Sequence, residues 1–96
     1  MKSKDEFING VIKFMENYIG NGRTVDIELL KELSDFAKST ELYKNEKYQA
    51  DFEDYSYDDV FNHMCIKINN APALAVYCAV LCIPFIYDKW IQERGA

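Results

Sequence analysis

Four side chains in the C-terminal half, His63, Cys65, Cys78 and Cys82, are of the types that ligate a soft metal. Thiolates and imidazoles build tetrahedral zinc sites, and Cys78 and Cys82, four residues apart, would share one face of a helix. The spacing lacks the Cys-x-x-Cys knuckle of structural zinc sites, and each cysteine lies among apolar neighbours. It therefore favours reduced thiols in a core, in an intracellular protein without a secretory leader. The odd number of cysteines also argues against a disulfide framework. No metal and no other cofactor is expected.

Catalytic chemistry finds no support. His63 is the single histidine and lacks a neighbouring nucleophile motif, and there is no glycine-rich loop to cradle a phosphate. The acids cluster without a pattern that would divide acid from base roles, and the acidic run lacks the central Gly and terminal Glu of a calcium-binding EF-hand loop. The chain reads as a binding protein and not as an enzyme.

The acids themselves are the strongest feature. Residues 1–40 carry seven acids against six bases, residues 41–62 seven against two, and residues 63–96 two against three. The whole net charge of −5 thus resides in the middle segment. Such a field, with a pI near 4.7, repels nucleic acid and anionic membrane and is complementary to a basic protein. Because the remaining 74 residues are together neutral, imitation of a phosphate-lined duplex is disfavoured.

Within the segment, Tyr48 to Asp59 interleaves carboxylates with aromatic rings. Tyrosine buries a large area at low entropy cost, and carboxylates offer paired acceptors to Arg and Lys while speeding encounter with a basic partner. The candidate partner-binding residues are Asp51, Phe52, Glu53, Asp54, Tyr55, Tyr57, Asp58 and Asp59. The plainer alternative is a solvated loop whose acids cap helices and whose tyrosines enter the core.

These residues need elements to position them, and the sequence predicts helices. With 49% hydrophobic and 15% aromatic residues the chain should fold, and four Gly and two Pro provide too few turns for a many-stranded sandwich or barrel. Ser3 to Glu6 reads as a capping box, followed by an apolar stripe at Phe7, Ile8, Val11, Ile12, Met15, Tyr18 and Ile19 that stops at Gly20-Asn21-Gly22. Thr24 or Asp26 caps a second helix ending near Ser39, with Ile27, Leu30, Leu33 and Ala37 inward and Leu29 and Phe36 widening the face. The short connection makes the two an antiparallel hairpin.

Thr40 to Phe52 has irregular periodicity and is assigned a frayed helix. Ser56 caps the next helix, with Asp58 and Asp59 in its first turn and a stripe at Val60, Phe61, Met64, Cys65 and Ile68. Asn69 to Pro72 breaks that helix, and Pro72 starts another. Pro84 should kink or end this one, leaving a last amphipathic piece to about Glu93. Residues 71–87 carry no charge, yet fall short of the roughly 20 needed to cross a bilayer, so a buried core helix is expected. The prediction is an all-α single compact domain over residues 1–96, with about five or six short helices.

Size, helical make-up, the Asn-, Lys-, Ile- and Tyr-rich composition and the Tyr48 to Asp59 run together resemble bacterial immunity proteins, the small acidic partners of secreted toxins in contact-dependent inhibition and colicin systems. The resemblance implies a cytoplasmic inhibitor that covers the basic cleft of a toxin nuclease, with Asp51, Glu53, Asp54, Asp58 and Asp59 meeting its cations. Tyr55, Tyr57 and Phe52 would be the buried anchors. Two other readings stand beside it: a phage-encoded inhibitor of a host defence or nucleic-acid enzyme, and a small membrane-associated protein using residues 71–87.

Overall fold

Three helix starts among the described residues are set by side chains that satisfy backbone amides with no partner in the first turn. The computed structural model describes residues 3–20, 25–44, 52–70 and 75–94, and among these every regular element is helical. Helix α1 spans Lys4–Gly20. At its start the Glu6 N–H donates to Ser3 Oγ (3.2 Å), as the capping-box sequence predicts. Helix α2 spans Ile27–Lys38, and Asp26, with extended backbone, accepts from the Leu29 N–H through its carboxylate (3.1 Å). Asp26 is therefore the cap; Thr24 lies outside the described residues. At the other end the Ser39 N–H donates to the Phe36 carbonyl (3.1 Å).

Helix α3 spans Tyr57–Asn70 and helix α4 spans Ala75–Arg94. Four helices are thus seen among the described residues, fewer than the five or six expected, for two reasons. Thr40 to Lys44 forms turns, fastened by the Thr40 hydroxyl donating to the Ala37 carbonyl (2.7 Å), and not the start of a helix. The remainder of the expected helix, residues 45–51, lies outside the described residues, as does Pro72.

The second reason is Pro84, which neither ends nor breaks α4. The ring withdraws the N–H that would otherwise meet the Val80 carbonyl. The helix nevertheless continues, because burial holds this stretch from several sides: Ala79, Val80, Leu81, Cys82, Ile83, Pro84 and Ile86 are all buried. A helix apolar around its circumference belongs in the middle of a bundle. Accordingly α4 packs broadly against α2 and α3, and α1 closes the bundle against α2 and α4. No helix among the described residues is long and apolar enough to cross a membrane.

The core follows the predicted faces with one exchange on α1. Phe7, Val11 and Met15 are buried as expected, but Ile12 is 45% exposed and Phe14, which the expected stripe omits, is fully buried against Phe61 with ring centroids 5.3 Å apart. The helix is rotated so that Phe7, Val11 and Phe14 define its inner edge. Leu30, Leu33 and Ala37 of α2 are buried, with Ser34 among them. Where α1 meets α2, Gly10 lets the helices approach so closely that a Cβ there would lie 2.8 Å from Leu33 Cδ2. The radius of gyration, 12.2 Å, is close to the ~13 Å of a compact chain of about 100 residues.

Candidate functional site: the acidic turn before helix α3

Residues 52–56 lead into α3 through a turn in which the Tyr55 N–H donates to the Phe52 carbonyl (3.1 Å). The helix then begins with a reciprocal capping box. The Asp59 N–H donates to Ser56 Oγ (3.2 Å), and the Ser56 N–H donates to Asp59 Oδ2 (3.2 Å). Asp59 here takes the place usually held by Glu or Gln. Its carboxylate is exposed and at the same time bound to the start of its own helix, so it is a cap first and a surface charge second.

The first amide of α3 is satisfied from far away in sequence. The Tyr57 N–H donates to Glu93 Oε2 at 2.6 Å, across 36 residues. A carboxylate at this position also meets the positive end of the helix dipole. One turn earlier on α4, Lys89 Nζ donates to the Glu53 carbonyl at 2.8 Å. A further turn back, the Phe85 ring lies 5.1 Å from that of Phe52. Phe85, Lys89 and Glu93 are spaced by four and so share one face of α4. Along that face they hold Phe52, Glu53 and Tyr57 in chain order, so the segment runs beside α4 in the same direction.

Aromatic packing fills the space beneath. Phe52 sits edge-on to Tyr55 (5.5 Å) and His63 (5.5 Å), and the Tyr43 ring also meets Phe85 (6.1 Å). The Arg94 guanidinium stands over the Tyr57 ring at 4.6 Å and the Trp90 ring at 5.3 Å, a cation–π arrangement that closes the far end of the segment.

This geometry sorts the sequence candidates. Tyr57 is 1% exposed and Phe52 6% exposed. Both are core residues, which corrects the expectation that they are available as surface anchors: their rings are occupied by Phe61, His63, Phe85 and Arg94. Tyr55 and Asp58 are half-buried, whereas Glu53, Asp54 and Asp59 are exposed. Asp51 lies outside the described residues. Around the start of α3, the acids Glu53, Asp54, Asp58, Asp59 and Glu93 outnumber the cations Lys89 and Arg94, a local balance of −3.

Sequence reasoning missed Phe85, Lys89, Glu93 and Arg94. Phe85, Lys89 and Glu93 all lie in the amphipathic piece expected after Pro84, where their spacing of four is the one signal, but nothing local says that this face meets a segment more than thirty residues earlier.

The cysteines form a separate group on α3 and α4. Burial pushes the Cys65 thiol up to about 11. Burial, reinforced by Cys78 and Cys65, pushes Cys82 up to about 12, and burial raises Cys78 against the opposing charge of Lys67. At neutral pH burial keeps these thiols protonated. Among the described residues no three of His, Cys, Asp and Glu come together in a way that could hold a metal ion.

No protein family, no curated protein and no solved structure matches this chain.

Proposed function

We propose that this protein is a cytoplasmic inhibitor of the immunity class, which binds a cognate toxin nuclease and covers its basic cleft with the acidic turn before α3. A nuclease cleft is positive because it must hold phosphates, so it is the complement of a surface on which carboxylates outnumber cations. The observation that carries the reading is the exposure of Glu53 and Asp54 on a turn bonded to α4, and of Asp59 in the first turn of α3. A carboxylate surface held in place before encounter loses less entropy on binding than a flexible one. Tyr55, half-buried at the edge of this surface, is the aromatic contact that remains to slow dissociation.

The test uses the product of the gene immediately upstream, which this reading requires to be a toxin nuclease. Purified and mixed with an equimolar amount of this chain, it should lose activity. Glu53→Gln with Asp54→Asn should slow association at low salt and matter little at high salt, since screening already removes long-range steering there. Tyr55→Ala should mainly raise the dissociation rate. A nuclease that stays fully active beside an excess of the wild-type chain overturns the proposal.

A further inference from the structure

The acidic turn closes on itself through the Tyr55 N–H to Phe52 carbonyl bond and enters α3 through the Ser56–Asp59 capping box. Two further polar ties come from α4: Lys89 to the Glu53 carbonyl and Glu93 to the Tyr57 amide. Glu93 is exposed, and the Lys89 bond is itself an exposed one, so neither side chain is there to fill the core. Each spends its charge on a backbone group of a segment 36 residues earlier.

We infer that Lys89 and Glu93 are positioning residues for the acidic surface: they set the path of residues 53–57, and so the spacing of the carboxylates that a basic partner meets. The inference rests on that surface being the contact surface, as proposed above. It has a consequence that charge alone does not predict. Lys89 is a cation beside an acidic patch, so on electrostatics its removal should strengthen binding to a basic protein. If Lys89 holds the turn in place, its removal weakens binding although the chain becomes more acidic.

The experiment has one arm without a partner and one with it. In the full-length chain, amide hydrogen exchange is compared for wild type, Lys89→Met, Lys89→Arg, Glu93→Ala and Glu93→Gln, with the amides of Leu33 and Ile83 reporting global opening. Glu93→Ala should speed exchange at Tyr57 about tenfold or more with Leu33 and Ile83 unchanged. Glu93→Gln, which keeps an acceptor oxygen, should recover most of the protection. Lys89→Met should speed exchange at Tyr55, and Lys89→Arg should restore it. Unchanged exchange at Tyr55 and Tyr57, or acceleration shared equally by Leu33 and Ile83, overturns the positioning role.

In the second arm, binding to the upstream nuclease is measured by surface capture. Several-fold weaker binding by Lys89→Met, with rescue by Lys89→Arg, supports the inference; tighter binding by Lys89→Met overturns it. If wild type does not bind that nuclease, the proposed function fails on its own, and the exchange arm still decides whether the two residues hold the turn.

Discussion

The Tyr57 amide and the Glu93 carboxylate, 2.6 Å apart and 36 residues distant in sequence, join the start of α3 to the end of α4. This bond is a helix cap supplied by another helix. Charge-assisted hydrogen bonds contribute about 1.5–3 kcal/mol when shielded, and exposure of Glu93 brings this one to the lower end or below. Glu93→Ala should therefore cost about 1 kcal/mol. In a domain of this size that lowers the thermal midpoint by about 4–8 °C, which differential scanning calorimetry measures directly.

Phe52 and Tyr55 are neighbours with rings 5.5 Å apart, but they should respond differently to truncation. Phe52 is packed by Tyr55, His63 and Phe85, so Phe52→Ala should cost about 3–5 kcal/mol through lost transfer energy and the cavity left behind. Tyr55, only half-buried, should cost less than half of that. Urea denaturation of the two variants checks the order, and near-equal losses would mean that Phe52 is not the anchor of the turn.

How far the sequence could be read depended on whether local rules competed with tertiary ones. Caps at Ser3, Asp26 and Ser56 were legible because capping is a local bond between residues three apart. The inner face of α2 was legible because its charged residues leave one stripe to bury. That the helix continues past Pro84 was not legible, because the local penalty for proline in a helix is ~3 kcal/mol and burial of the surrounding apolar side chains outweighs it. Ile12 and Phe14 were misread because both fit a helical stripe, and the choice between them depends on where Phe61 lies. At the candidate site the acids were visible as composition. That Phe52 and Tyr57 point inward, and that α4 fixes the turn, required contacts between residues 33 to 37 positions apart, which no local pattern encodes.

Ser34 lies in α2 between Leu33 and Ala37 with no exposure, and its hydroxyl has no hydrogen-bond partner among the described residues. A buried polar group without a partner costs about 1–3 kcal/mol, and alanine has the higher helix propensity. Ser34→Ala should raise stability by about 1 kcal/mol, seen as a higher denaturant midpoint with an unchanged slope. A loss of stability would indicate that the hydroxyl is bonded in solution.

Gly10 presents the opposite balance. Alanine in a helix interior gains about 1 kcal/mol over glycine, but its Cβ would stand 2.8 Å from Leu33 Cδ2. Leu33 is fully buried, so its methyl has no free space to move into, and overpacking costs about 1–3 kcal/mol. The steric term should win. Gly10→Ala is expected to lower the thermal midpoint, whereas a higher one would show that α1 and α2 can separate slightly without loss.

The cysteines give the stability a defined dependence on alkaline pH. A thiol whose folded value is raised contributes stability that is fully present below its unfolded value, near 9.0, and lost as pH rises toward the folded one, about 12 for Cys82. Between these limits the unfolded chain ionises and the folded chain does not, so stability should fall by up to about 1.4 kcal/mol per pH unit for a fully buried group. Cys82 is buried and Cys65 and Cys78 are half-buried; Cys65, raised to about 11, adds a slope of its own up to that pH, and Cys82 extends the decline toward 12. Tyrosines also titrate in this range, which makes the comparison with Cys82→Ala the informative one. The variant should lose a constant amount of stability from its cavity at all pH values and show a shallower decline above pH ~9 than wild type. Parallel declines from urea titrations across this range would mean that the thiol at position 82 ionises in the folded protein as readily as in the unfolded one.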